Sequence, residues 1–184
     1  MKNLMVKMAA GALAMCALAQ PQMAMAEACF TEEDLAGATV YALPLIADAF
    51  SQKCGPELSE DGFMATKGDE FIATYREKQD ENWPATMRVL TAFSEGGDGP
   101  DGIGEMMKNL PEEALRPFVD AIVGTMIAKE IKSKDCSKIE RGVELMAPLP
   151  PENLGGLVGF VVAMVESDPK RANKKLMICQ QPAE

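Results

Sequence analysis

The chain is predicted to be all-α, an irregular bundle of helical hairpins stapled by two disulfides. Three observations carry this. Helix-starting and helix-stopping residues recur along the whole length, alternating β-branched runs bounded by hairpin turns do not occur, and four cysteines follow an export-type leader.

The first 26 residues read as an export leader. Lys2 and Lys7 make a positive start, Met8 to Ala19 is an apolar run, and Ala24-Met25-Ala26 is a small-residue cleavage site. Residues 1–26 are therefore expected to leave as a signal peptide, with a mature chain from Glu27. A membrane span needs about 20 apolar residues, and Gln20, Pro21 and Gln22 interrupt the run before that length. The lipoprotein route through Leu13-Ala14-Met15-Cys16 is disfavoured because Met15 is not a small residue. Residues 27–184 form one domain, divided into an acidic half (27–95), a connector (96–102) and a second half (103–184). They retain Cys29, Cys54, Cys136 and Cys179, an even number in an exported chain, so structural bridges are expected in a periplasmic or secreted protein. Closely spaced Cys-x-x-Cys redox pairs do not occur.

The helices follow from their ends. Thr31-Glu32-Glu33-Asp34 puts a cap and three acids where first-turn amides lack partners, and Pro84, Pro111, Pro150 and Pro169 suit first helical positions. Cys54-Gly55-Pro56, the stretch 96–102 and Ala147-Pro148 read as stops. The expected helices are 31–42, 44–53, 59–79, 84–95, 103–109, 111–133, 136–147, 150–166 and 169–177. Leu110-Pro111-Glu112-Glu113-Ala114-Leu115 is echoed by Leu149-Pro150-Pro151-Glu152-Asn153-Leu154 and, more loosely, by Phe30 to Leu35. Shared helix-start chemistry explains this partial repeat better than an open solenoid does.

Two hairpins, each bracketed by cysteines, favour Cys29 with Cys54 and Cys136 with Cys179, provided that Pro44 marks a reversal. One continuous helix over 31–52 would separate its ends by about 33 Å and forbid the first bridge. Under the favoured pairing Lys132, Lys134, Lys138 and Arg141 become neighbours of Lys170, Arg171, Lys174 and Lys175, a candidate basic patch. Leu154 to Val165 is the most apolar stretch after the leader and is expected to be a buried helix, closely approached by another at Gly155, Gly156 and Gly159. The eight methionines outside the leader, among them Met106, Met126 and Met164, are expected in the core.

Chemistry is bounded by composition. Without histidine, Ser-His and Cys-His nucleophiles and histidine metal ligation are excluded, and no P-loop, dinucleotide fingerprint or Gly-x-Ser-x-Gly occurs. Carboxylate pairs leave a hydrolase as a distant third reading. The run Gly96-Gly97-Asp98-Gly99-Pro100-Asp101 matches one copy of a calcium β-roll repeat, whose ligands are shared between stacked copies, so it reads as an acidic connector. No catalytic, cofactor or metal residue is assigned.

Charge is the remaining signal. Residues 27–113 carry 19 acidic and 6 basic side chains, a net −13, whereas residues 114–184 carry 9 and 10, a net +1. A nucleic-acid partner is excluded on this balance. The expectation is a non-enzymatic binder of the cell envelope, such as a chaperone, inhibitor or immunity factor, acting on another protein through an acidic helical surface. The alternative is a carrier of a small molecule or lipid, with an apolar pocket near Leu154 to Val165.

Overall fold

The computed structural model describes residues 29–95, 103–166 and 178–179. The leader, the connector 96–102 and the helix expected at 169–177 lie outside them. The fold is helical: α1 (Glu32–Cys54), α2 (Phe63–Thr66), α3 (Gly68–Arg76), α4 (Gln79–Glu95), α5 (Ile103–Asn109), α6 (Glu112–Glu130), α7 (Cys136–Met146) and α8 (Pro151–Glu166). Among the described residues the sole β pairing is an isolated bridge between Phe30 and Ile178.

The first helix organises the others, and it departs from expectation. Its start is as the sequence foretells. The Thr31 hydroxyl accepts from the Asp34 N–H and the Asp34 carboxylate accepts from the Thr31 N–H, both at 3.0 Å, a reciprocal capping box. Pro44, however, does not reverse the chain; α1 runs unbroken for 23 residues with the proline inside it. A helical proline forfeits the bond to the carbonyl four residues back, at about 3 kcal/mol or more. Burial of Pro44 offsets that cost, and in the same turn the Gln79 side chain donates to the Tyr41 carbonyl at 3.0 Å.

With apolar residues on several faces, α1 takes neighbours all round: α8, α4, α6 and α3 pack on it. The core lies in three successive pieces along its length. Phe30, Val89 and Ala92 close the start, Val40, Phe71, Ile72, Tyr75 and Leu154 fill the middle, and Phe50, Cys54 and Cys136 seal the end. Gly37 lets α4 come close, since a Cβ there would lie 2.9 Å from the Ala85 Cβ.

A continuous α1 also overturns the expected cysteine pairing. The bridges are Cys29–Cys179 and Cys54–Cys136, spanning 150 and 82 residues. Each joins the start or end of α1 to the second half of the chain, so the halves are locked across one another rather than closed separately about a hinge. Loops of this length lose on the order of 4 kcal/mol of unfolded-chain entropy per bridge in the chain-entropy account, the second less once the first is closed.

Other boundaries shifted for local reasons. The helix expected over 59–79 is divided: Lys67 leaves helical geometry at φ −136°, ψ −5°, which separates α2 from α3. Next, α4 begins at Gln79 and holds Pro84 internally instead of starting on it. Pro111 caps α6 from outside with extended backbone, and Pro151 rather than Pro150 opens α8. The three echoed segments each open a helix, α1, α6 and α8.

Candidate functional site

Three regions carry polar or apolar chemistry, and each is set by which helix lies against α1. The first is a tie between α1, α4 and α6. Tyr41 is 1% exposed; its hydroxyl donates to Asp120 Oδ1 at 2.6 Å and accepts from Arg116 Nε at 3.2 Å. The Arg116 guanidinium lies 5.4 Å from the Tyr41 ring centre and 5.8 Å from that of Trp83, and it also pairs with Asp80. Burial, then the hydrogen bond to Asp120, pushes the Tyr41 phenol above its ordinary range, so it stays neutral and acts as a donor. This arrangement fixes three helices.

The second region is a cleft of about 480 Å³ among α1, α4 and the start of α8, lined by Glu33, Asp34, Gly37, Lys78, Arg88 and Glu152. Its charges already serve each other. Arg88 grips Asp34 through Nε at 2.7 Å and Nη2 at 2.6 Å, and Lys78 sits 3.2 Å from both Glu81 and Glu152. Burial alone would raise the Asp34 carboxyl, but hydrogen bonds from Arg88 and Thr31 outweigh it and hold the group below its ordinary value. Residues 154–165 line neither this cleft nor those of about 370 Å³ and 230 Å³ elsewhere among the described residues.

The third region is the surface. Ten exposed carboxylates, Glu33, Glu57, Glu60, Asp61, Asp69, Glu70, Glu77, Glu105, Glu113 and Glu130, have no ion-pair partner among the described residues, and six of them follow one another from Glu57 to Glu77. Asp69 and Glu70 lie on the outward face of α3 and Glu77 caps its end, while the inner face buries Phe71, Ile72 and Tyr75.

The candidate basic residues separate. Lys132, Lys134, Lys138 and Arg141 are exposed on and before α7; Lys138 pairs with Asp135 at 3.6 Å and Arg141 with Glu144 at 2.7 Å. Lys170, Arg171, Lys174 and Lys175 lie outside the described residues. No bridge joins the two groups, because Cys136 is bound to Cys54. That bridge instead sets α7 beside the segment after α1, where Glu140 accepts the Met64 N–H at 3.0 Å.

The expectation that Leu154 to Val165 is a buried helix is half corrected. The inner face of α8 is buried as foreseen: a Cβ at Gly155 would lie 2.6 Å from the Ala36 carbonyl oxygen, and one at Gly159 would lie 2.7 Å from that of Glu32. Gly156 faces open space instead. The other face points outward, with Leu157 51%, Phe160 54%, Val161 42%, Met164 54% and Val165 36% exposed. The reason is neighbours: among the described helices, α8 has its extensive contact with α1. Met106 and Met126 are likewise exposed, against the expectation of core positions. The sequence carries a signal for the outward face, large apolar residues spaced at i, i+3, i+4, i+7 and i+8, opposite the glycines.

The fold and surface together define a disulfide-bridged, all-helical domain built around one central helix. Comparison with protein-family models, with curated proteins and with solved structures finds no match for this chain.

Proposed function

We propose that the protein is a non-enzymatic binding module of the cell envelope that holds a basic protein partner against its acidic exterior. The observation that carries this reading is the group of six exposed carboxylates without ion-pair partners among the described residues, Glu57, Glu60, Asp61, Asp69, Glu70 and Glu77, running from the segment 57–61 over α3 to the residue that caps it. Such a field raises encounter rates with a cationic surface and discriminates against acidic ones. Two disulfides suit the oxidising compartment that the leader implies. A carrier reading finds less support, since residues 154–165 line none of the three clefts described above.

The test is capture of partners from periplasmic extract at low and high salt, run beside a variant carrying Asp69→Lys, Glu70→Lys and Glu77→Lys. The expected result is a basic protein retained at low salt by the natural sequence, released by salt and lost by the variant. Retention that ignores both salt and the charge reversal overturns the proposal, as does the lack of any salt-sensitive partner.

A further inference from the structure

The two disulfides sit in opposite surroundings. Cys54 and Cys136 are 0% and 1% exposed and belong, with Phe50, to the core piece that seals the end of α1. Cys29 is exposed and Cys179 is half-buried. Thiol–disulfide exchange requires a thiolate to reach a bridging sulfur, so an accessible bridge exchanges and an enclosed one resists. An attacking thiolate meets Cys29–Cys179 on the native surface, whereas it meets Cys54–Cys136 only after the surrounding core has opened.

The exposed bridge also holds a piece of chain in place. Ile178 pairs with Phe30 in a parallel bridge, and the Cys179 N–H donates to the Phe30 carbonyl at 2.9 Å. The Ile178 side chain packs on the first core piece, where the Phe93 ring stacks on that of Phe30 with centres 5.6 Å apart. Phe30 is 0% exposed in this arrangement. Ordering two residues costs backbone entropy on the scale of what one hydrogen bond and one half-buried side chain return. The disulfide therefore decides whether Ile178 and Cys179 stay on Phe30.

We propose that Cys29–Cys179 is a redox-released strap: an external dithiol opens it while Cys54–Cys136 stays closed, and departure of Ile178 uncovers the apolar cluster of Phe30, Val89, Ala92 and Phe93 at the start of α1. One thiolate of the dithiol attacks Cys29 Sγ, forming a mixed disulfide and freeing Cys179 as a thiolate that takes up a proton. The second thiol then displaces Cys29, which takes up a proton in turn, and the dithiol leaves as its own disulfide. Two electrons and two protons pass from the dithiol to the two cysteines. The bundle persists through this step, since neither Cys54–Cys136 nor the contacts of Gly155 and Gly159 with α1 involve the strap. The carboxylates proposed to meet a basic partner begin at Glu57, beyond the other end of α1, so the strap and that surface stand or fall separately.

The test is graded reduction of the natural protein with dithiothreitol, followed by alkylation and peptide mapping. Labelling of Cys29 and Cys179 is expected to run at least about tenfold faster than that of Cys54 and Cys136. An uncharged apolar dye should gain fluorescence in step with it, helical circular dichroism should hold, and reoxidation should reverse both labelling and dye binding. A variant carrying Cys29→Ser and Cys179→Ser should bind the dye without reductant while keeping Cys54–Cys136. Equal labelling of the two bridges, earlier labelling of Cys54 and Cys136, opening of Cys29–Cys179 without dye binding, or helix loss in step with that opening each overturns the proposal.

Discussion

The two faces of α8 make opposite use of side-chain size. On the inner face Gly155 and Gly159 withdraw so that the backbone of α1 can approach, which brings two helices together without bulk between them. On the outer face, two residues from Gly155, Leu157 begins a row of large apolar side chains that are more than a third exposed. Hydrophobicity alone therefore does not say which side of a helix is buried. The small residues do, because a close backbone contact can form only where side chains are missing, while large ones can pack on this molecule or on another.

Substitutions along α8 and its neighbours test that contrast. The largest effect is expected on the inner face: Gly155→Ala places a methyl against the Ala36 carbonyl and should cost about 1–3 kcal/mol in denaturant unfolding. Gly156→Ala, one residue away in open space, should instead gain up to about 1 kcal/mol from helix propensity. Equal responses at the two positions would show that α8 does not sit on α1 by its glycine face.

Next comes the other close neighbour of α1. Asp34 is held ionised by Arg88 and Thr31, with its folded value below the unfolded one. Its contribution is complete above the ordinary carboxylate value near 3.8 and is lost as pH falls through the folded value. Stability measured by urea unfolding should thus decline below about pH 4, and Asp34→Asn should flatten this decline while lowering stability at neutral pH by about 1–2 kcal/mol. An unchanged pH profile in the variant would remove Asp34 as a tie between α1 and α4.

A smaller effect is expected under the inner face. Tyr75, which packs with Leu154 of α8, buries a hydroxyl without a hydrogen-bond partner among the described residues. Tyr75→Phe should leave thermal stability unchanged or raise it by up to about 1 kcal/mol; a loss would reveal a partner for that hydroxyl. The smallest effect belongs outside: Val161→Ser should alter unfolding of the dilute protein by no more than about 0.5 kcal/mol, as surface changes do. A loss comparable to that at Gly155 would show the outward row to be covered within a single copy.

Much of this was legible from local chemistry. The capping residues Thr31 and Asp34, the stops after Cys54 and Met146, and the glycines at 155 and 159 behave as their short-range physics dictates. Pro44 misled because proline's helix-breaking cost is local, whereas its burial against the elements around α1 and the Gln79 hydrogen bond to the same turn come from elsewhere in the chain. The acidic surface was visible as charge, but its membership was not. Asp48, Asp80 and Glu81 are as acidic as Glu57 or Glu70, yet each is paired with a cation of another element or of its own turn. The outward row on α8 is present in the sequence as spacing, but apolar content alone does not distinguish a helix buried all round from one with a single buried face.

The sequence by itself determined the helical class, the presence of two staples, the approximate helix ends and the uneven charge, since capping, turn propensity and composition act over a few residues. Only the tertiary structure decided which cysteines meet, that α1 runs through Pro44, and which face of α8 turns outward. Those outcomes depend on contacts between residues 82 and 150 positions apart, and on how many neighbours one central helix can accept.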